Sequence, residues 1–224
     1  MAGAQRRALL LWRSAHHWDM ARLTELKPSQ LDALREVANI GAGHAATALS
    51  QLTERRIMIS VPEVTVARWD DIPGFWNPED KVAAVWMLMM GNLTGRTAFV
   101  LPFDNAKQLC SFLLHRDPAP ESVLNEMEES TLKETGNILG GAYLNALSSF
   151  LGMMLLPSVP DLVVNKSAAV FAPVAAEATA DHAMIIRAAT EFRFDELEDD
   201  LVGHYILLPD TGSVQAILEA IQLA

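Results

Sequence analysis

Two short polar sets carry the side chains best suited to chemistry. Asp32, Glu36 and Asn39 recur in spacing, and nearly in type, as Ser130, Glu134 and Asn137. At about 100° per residue on a helix, the three positions of each set fall within about 60° of one another, so each set would form one polar stripe. An asparagine carboxamide there offers one acceptor and two donors without being a strong base. A glutamate about one turn away supplies an anion for a cationic partner group. Gly43 and Gly141 extend the two stripes by a further turn, although glycine inside a helix costs roughly 1 kcal/mol relative to alanine. Two explanations stand for these glycines: another helix packs close to each, or a partner's backbone must approach an exposed face.

The elements that must position these residues emerge when the chain is compared with itself. Leu31–Val66 and Glu129–Val164 align without gaps, with identities at Leu34, Glu36, Asn39, Ile40, Gly43, Ala48, Leu49, Ser50, Ser60, Val61, Pro62 and Val66 of the first copy. Phe99–Pro102 likewise parallels Ile206–Pro209, each followed by an amphipathic stretch, Asn105–Leu114 and Ser213–Leu223. Each copy opens with a helix. Leu34, Val37, Ala38, Gly41, Ala45, Ala48 and Leu52 recur at the helical period, as do Leu132, Thr135, Gly136, Leu139, Tyr143, Ala146 and Phe150. Pro28 and a Ser29 to Asp32 capping box mark the first start.

Strands are predicted over Ile57–Val61, Val64–Trp69, Val82–Met90, Thr97–Leu101, Ala183–Phe194 and Gly203–Leu208, with a hairpin turning near Gly91-Asn92. The expected fold is α+β with a pseudo-two-fold internal repeat, its halves sharing one antiparallel sheet flanked by helices. The expected division is an N-terminal extension at 1–20, a first repeat at 21–116 and a second at 117–224, joined near His115–Pro120, whose prolines end the preceding helix. Two readings stand for the extension, a dispensable segment with Met20 as an alternative start or an amphipathic surface helix, and no function attaches to it.

The 224 residues are 50% hydrophobic, and no apolar run reaches the ~18 residues of a membrane span, so a soluble protein with a sizeable core is expected. The net charge of -11 argues against a nucleic-acid partner and for one carrying exposed Lys or Arg. Residues Ala21–Ala224 concentrate it, with 14 cationic against 27 acidic side chains. A single cysteine, Cys110, permits no internal disulfide and fits a reducing cytoplasm. The six histidines share no spacing with carboxylates that would make a metal site.

Asp or Ser, three residues, Glu, two residues, Asn, then twenty-two residues and Pro occurs here twice, as Asp32, Glu36, Asn39, Pro62 and as Ser130, Glu134, Asn137, Pro160. In this the chain resembles the chemotaxis CheC/FliY/CheX phosphatase family, from about Leu23 to the C-terminus, and NIGAG, ISVPEV and GNILGGAYLNALSSF also resemble it. Two intact motifs, with no room for a further flagellar-switch domain, resemble the CheC branch. The resemblance implies hydrolysis of the aspartyl phosphate of CheY or a similar receiver domain. Glu36, Asn39, Glu134 and Asn137 would be catalytic, with each Asn positioning a water and each Glu pairing with a receiver lysine. Asp32 and Ser130 would support the motif, Pro62 and Pro160 would shape the chain, and Gly43 and Gly141 would allow close approach. No cofactor of its own is implied, because the receiver supplies Mg²⁺. The resemblance also implies binding of the receptor deamidase CheD near Asp161–Ala176; the alternative function is a regulatory CheD-binding module with little phosphatase activity.

Bland readings stand beside these. Asp32 fits the capping box. The acidic run Asp195–Asp200 fits a solvated loop, with a docking surface for a basic partner as its alternative. Trp69, Trp76 and Trp86 fit core and loop anchors.

Overall fold

The computed structural model describes residues 27–68, 76–116, 123–177, 184–195 and 200–223. The N-terminal extension, Trp69 and most of the His115–Pro120 junction lie outside them. Helix α1 (Pro28–Thr53) leads into strand β1 (Ile57–Arg68), then β2 (Lys81–Gly91), β3 (Gly95–Pro102) and α2 (Phe103–Leu113). Helix α3 (Glu126–Leu151) leads into β4 (Leu155–Pro157), β5 (Asp161–Lys166), α4 (Ser167–Glu177), β6 (Met184–Phe194), β7 (Leu201–Pro209) and α5 (Thr211–Leu223).

All seven strands form one antiparallel sheet in the order β1-β6-β7-β3-β2-β4, with β5 also on β2. The β2–β3 hairpin lies in the predicted place, with Met89 opposite Gly95. Gly91 and Gly95 have positive φ, and a Cβ at either would strike backbone carbonyls, so the turn requires glycine at both. Strands from the two parts of the chain alternate across the sheet, meeting where β1 pairs with β6, where β3 pairs with β7 from Gly95 opposite Pro209 to Val100 opposite His204, and where β2 pairs with β4 and β5.

Alternation along β2 decides which face each helix covers. Ala83, Val85 and Met89 join the cores beneath α1, α2, α3 and α5, and Met87 is buried against Gly140 of α3, whereas Val82 and Ala84 pack with Val170 and Phe171 of α4 on the opposite face. Small residues let the long helices lie close. A Cβ on Gly136 would come within 2.5 Å of Val85, one on Gly140 within 2.4 Å of Met87, and one on Gly41 within 2.9 Å of the Tyr143 ring.

Several sequence expectations change in detail. The first helix is capped by the Gln30 side chain, which accepts from the Lys27 N–H at 2.8 Å, and not by a Ser29 to Asp32 box. Leu49 is buried and Leu52 is 62% exposed, so the apolar stripe drifts by a residue at its C-terminal end. The two strand candidates after α1 form one strand with a register shift between Ser60 and Glu63. β4, β5 and α4 were not predicted: β4 is three residues long, and α4 is apolar nearly all round, so neither shows a clean period.

The second long helix starts on a buried charge cluster. Asn125 caps it by accepting from the Glu128 N–H at 3.1 Å, and Glu128 accepts from the Asn125 N–H at 2.9 Å. The fully buried Glu128 carboxylate also receives Lys107 Nζ at 2.9 and 3.1 Å and lies 3.3 Å from Arg116. Burial alone would raise its pKa, but the Asn125 N–H and the two cations outweigh burial and hold it below the ordinary value.

Candidate functional site

Both polar sets lie along outer sides of α1 and α3, with the asparagines nearest the packed interior. Asp32, Glu36, Ser130 and Glu134 are exposed, and Asn39 and Asn137 are half-buried. Asp32 forms an exposed ion pair with Arg35 at 3.0 Å. Neither Glu36 nor Glu134 has an ion-pair partner among the described residues, so each carboxylate is available to a cation from outside. Ile40, 46% exposed, places an apolar side chain one turn beyond Glu36. Its identity with Ile138 in the aligned copies was the sequence signal for it, masked there by its apolar type.

The glycine question has a clear outcome. A Cβ added to Gly43 or Gly141 would meet nothing within 4 Å, so no neighbouring helix requires either glycine. Close packing falls instead on Gly41, against Tyr143 of α3, and on Gly136 and Gly140, against Val85 and Met87 of β2. Gly43 and Gly141 leave open space beside the polar stripes, where an approaching chain could come near the helix backbone.

The two asparagines differ. Asn39 is bonded to the chain 22 positions on: its Oδ1 accepts from the Val61 N–H at 3.0 Å, and its Nδ2 donates to the Val61 carbonyl at 3.2 Å. Nδ2 also donates to the Arg35 carbonyl at 3.0 Å. The reason lies in β1. Between Ser60 opposite Glu191 and Glu63 opposite Ala189 the strand holds one residue more than β6, and the ladder skips Val61 and Pro62. Pro62 has no N–H to lose there, and the Asn39 carboxamide takes the Val61 amide groups that the ladder leaves unpaired.

The second copy has the same excess of one residue. Pro157 lies opposite Met89 and Asp161 opposite Trp86, with Ser158, Val159 and Pro160 between. Here the bonds go elsewhere. Ser158 Oγ accepts from the Leu88 N–H at 2.9 Å and donates to the Val159 carbonyl at 3.1 Å, and the Ser158 N–H donates to the Leu88 carbonyl at 2.9 Å. Val159 is 86% exposed where Val61 is 2% exposed. Asn137 has no hydrogen-bond partner among the described residues, so its carboxamide is free to engage a ligand.

Away from the stripes, His204 lies under α4 with its ring edge-on to Trp76, 5.2 Å between centroids. Burial, aided by Arg187 and opposed by Glu63, lowers its pKa to about 4. Trp76 stacks on Phe171 at 5.0 Å and Trp86 meets the same ring at 5.9 Å, which makes both tryptophans packing anchors. No helix among the described residues is long and apolar enough to cross a membrane.

The sequence pattern of the CheC-like family matches residues 30–66 and 127–164, the two stretches that contain these motifs. The CheY-P phosphatase CheC of Bacillus subtilis (strain 168) is 35% identical over 208 residues, spanning 90% of this chain and 98% of that protein. The chain belongs to the CheC-like family. A second relative from the same organism, the flagellar motor switch phosphatase FliY, is 26% identical over 143 residues, 63% of this chain and 37% of FliY. The fold of this CheC-like chain is shared by Thermotoga maritima FliY, at a TM-score of 0.72 and 21% identity over 88% of this chain and 98% of that one. The FliM middle domain of H. pylori shares it more distantly, with a TM-score of 0.60 and 15% identity over 87% of this chain and 99% of that one.

Proposed function

We propose that this protein hydrolyses the aspartyl phosphate of CheY or a similar receiver domain, with Glu36 and Asn39 forming one motif site and Glu134 and Asn137 the other. The observation that carries the reading is the free Asn137 carboxamide beside Gly141, where no protein atom would contact a Cβ. Family membership and the CheC relative supply the substrate class. An acyl phosphate is already activated, so the catalyst needs chiefly to place a water in line with the leaving oxygen. The water oxygen forms a bond to phosphorus, the bond to the aspartyl oxygen breaks, and its electron pair returns to the aspartate as carboxylate. The products are free aspartate and inorganic phosphate. The Asn oxygen accepts from the water and its N–H groups donate to a phosphoryl oxygen, while Glu134 or Glu36 pairs with a receiver lysine. The receiver would bring the Mg²⁺ that neutralises the phosphoryl oxygens. Asp32 and Ser130 would support the stripes, and Pro62 and Pro160 would shape the bulges beside them.

Purified phosphorylated receiver should lose phosphate faster with this protein than alone, and the Asn39→Ala/Asn137→Ala double variant should return the decay to the spontaneous rate. A double variant as fast as the wild type would refute the reading.

A second reading, binding of CheD, has one observation in its favour. Ala168, Ala169, Ala172 and Pro173 give α4 an exposed apolar side, on the face of the sheet opposite the motif helices. Binding of purified CheD that is lost on Ala169→Glu, with receiver dephosphorylation unchanged, would support it; binding unaffected by that change would remove α4 as the contact.

A further inference from the structure

The two motif copies differ in what holds their bulges. In the first, the Asn39 carboxamide closes a two-point bond with the Val61 backbone and a third with the Arg35 carbonyl, which occupies its acceptor and both donors. In the second, Ser158 binds the Leu88 N–H and the Val159 carbonyl by its hydroxyl, and the bulge residue stands away from the helix. Ser60, which aligns with Ser158, donates its hydroxyl across to Glu191 at 3.4 Å instead. An asparagine can position a water only with donors and acceptors that are not already committed. Asn39 would have to give up its bonds to Val61 before it could serve, whereas Asn137 gives up nothing.

From this we infer that the copies have divided the work: Asn137 is the acting carboxamide, with Ser158 a positioning residue that relieves it of bulge bonding, and Asn39 is chiefly a tie that holds β1 to α1. The inference rests on the proposed phosphatase function for its catalytic half only. Its structural half concerns the Val61 amide and is measured without any substrate.

The test sets Asn39→Ala, Asn39→Asp and Asn137→Ala beside the wild type in three measurements on the full chain. Amide exchange should show Val61 protected in the wild type and at least about tenfold less protected in Asn39→Ala, with no matching change at Val159 in Asn137→Ala. Thermal unfolding should fall by about 4–8 °C in Asn39→Ala and stay near the wild-type value in Asn137→Ala. Asn39→Asp keeps the acceptor for the Val61 N–H but faces a carboxylate to the Val61 carbonyl, so it should also lower the midpoint. Turnover of phosphorylated receiver, compared below every midpoint, should be at least about tenfold lower in Asn137→Ala than in Asn39→Ala.

Equal turnover losses in the two alanine variants, with an active wild type, would overturn the division of work and leave the phosphatase reading standing. An inactive wild type would overturn both. An unprotected Val61 amide in the wild type would overturn the tie itself, whatever the turnover.

Discussion

Glu128 offers a quantitative test of what fixes the second motif helix in place. Its carboxylate is fully buried at the helix start and holds Lys107 Nζ through both oxygens, at 2.9 and 3.1 Å. Lys107 is itself only 6% exposed, so Glu128→Ala would strand a buried ammonium as well as remove one half of the cap. Removing one partner of a buried pair costs about 3–5 kcal/mol, and lost capping falls within that sum because the same carboxylate makes both sets of bonds. In a domain of this size each kcal/mol moves the midpoint by about 2–4 °C, giving an expected fall of about 6–20 °C. Urea and thermal unfolding followed by circular dichroism would measure it. Lys107→Met combined with Glu128→Leu should recover most of the loss, because it leaves no buried charge uncompensated, and Arg116, 37% exposed, keeps access to water.

The pH dependence has a definite sign. Glu128 has a lower pKa folded than unfolded. Between the two values the unfolded chain holds more protons than the folded one, so stability falls as pH drops below roughly 4.3, the ordinary glutamate value, towards the lowered one. Glu128→Gln should be flatter than the wild type across that window. A Glu128→Ala variant within about 1 kcal/mol of the wild type would refute the reasoning, because it would mean that Lys107 finds water or another partner at small cost.

Two further outcomes are expected. Gly141→Ala should stabilise α3 by up to about 1 kcal/mol, since its Cβ meets no atom, yet Gly141→Leu should slow receiver turnover while unfolding unchanged or later; full activity in Gly141→Leu would show that no partner comes close there. His204, with its pKa lowered to about 4, takes up a proton later than its unfolded counterpart as pH falls, so stability should drop from about pH 6.5 to 4 by on the order of 3 kcal/mol. His204→Gln should remove that slope in urea titrations across the window, and an unchanged slope would assign it to other groups.

The sheet, the hairpin and the two long helices were legible because each follows a simple period or a turn signal. Val82–Met90 turns at Gly91, and α3 repeats apolar residues at Leu132, Leu139 and Tyr143. The motif residues were legible as a repeated spacing, which survives without any knowledge of contacts. The inequality between Asn39 and Asn137 was not, because it depends on where a neighbouring strand puts its unpaired amide groups, and the aligned serines Ser60 and Ser158 read alike in the sequence. Leu52 was assigned to the core because the five turns of a straight template from Leu34 accumulate angular error by the helix end. Strands β4 and β5 were missed because they are short, with Pro157 ending the first and Pro160 just before the second, and helix α4 because it is apolar almost all round.

The placement of the motif prolines has a consequence for solubility. An open sheet ends in strands whose outer N–H and C=O groups can recruit another chain, and here the ends are β1 on one side and β4 with β5 on the other. Pro62 interrupts the first end at a bulge. Pro157 and Pro160 break the second into two short pieces. Neither end offers a long flat ladder to a second molecule, so a chain with half its residues hydrophobic is protected from edge-to-edge growth. The prolines that complete the motif can thus be retained for keeping molecules apart, independently of any reaction on the helices.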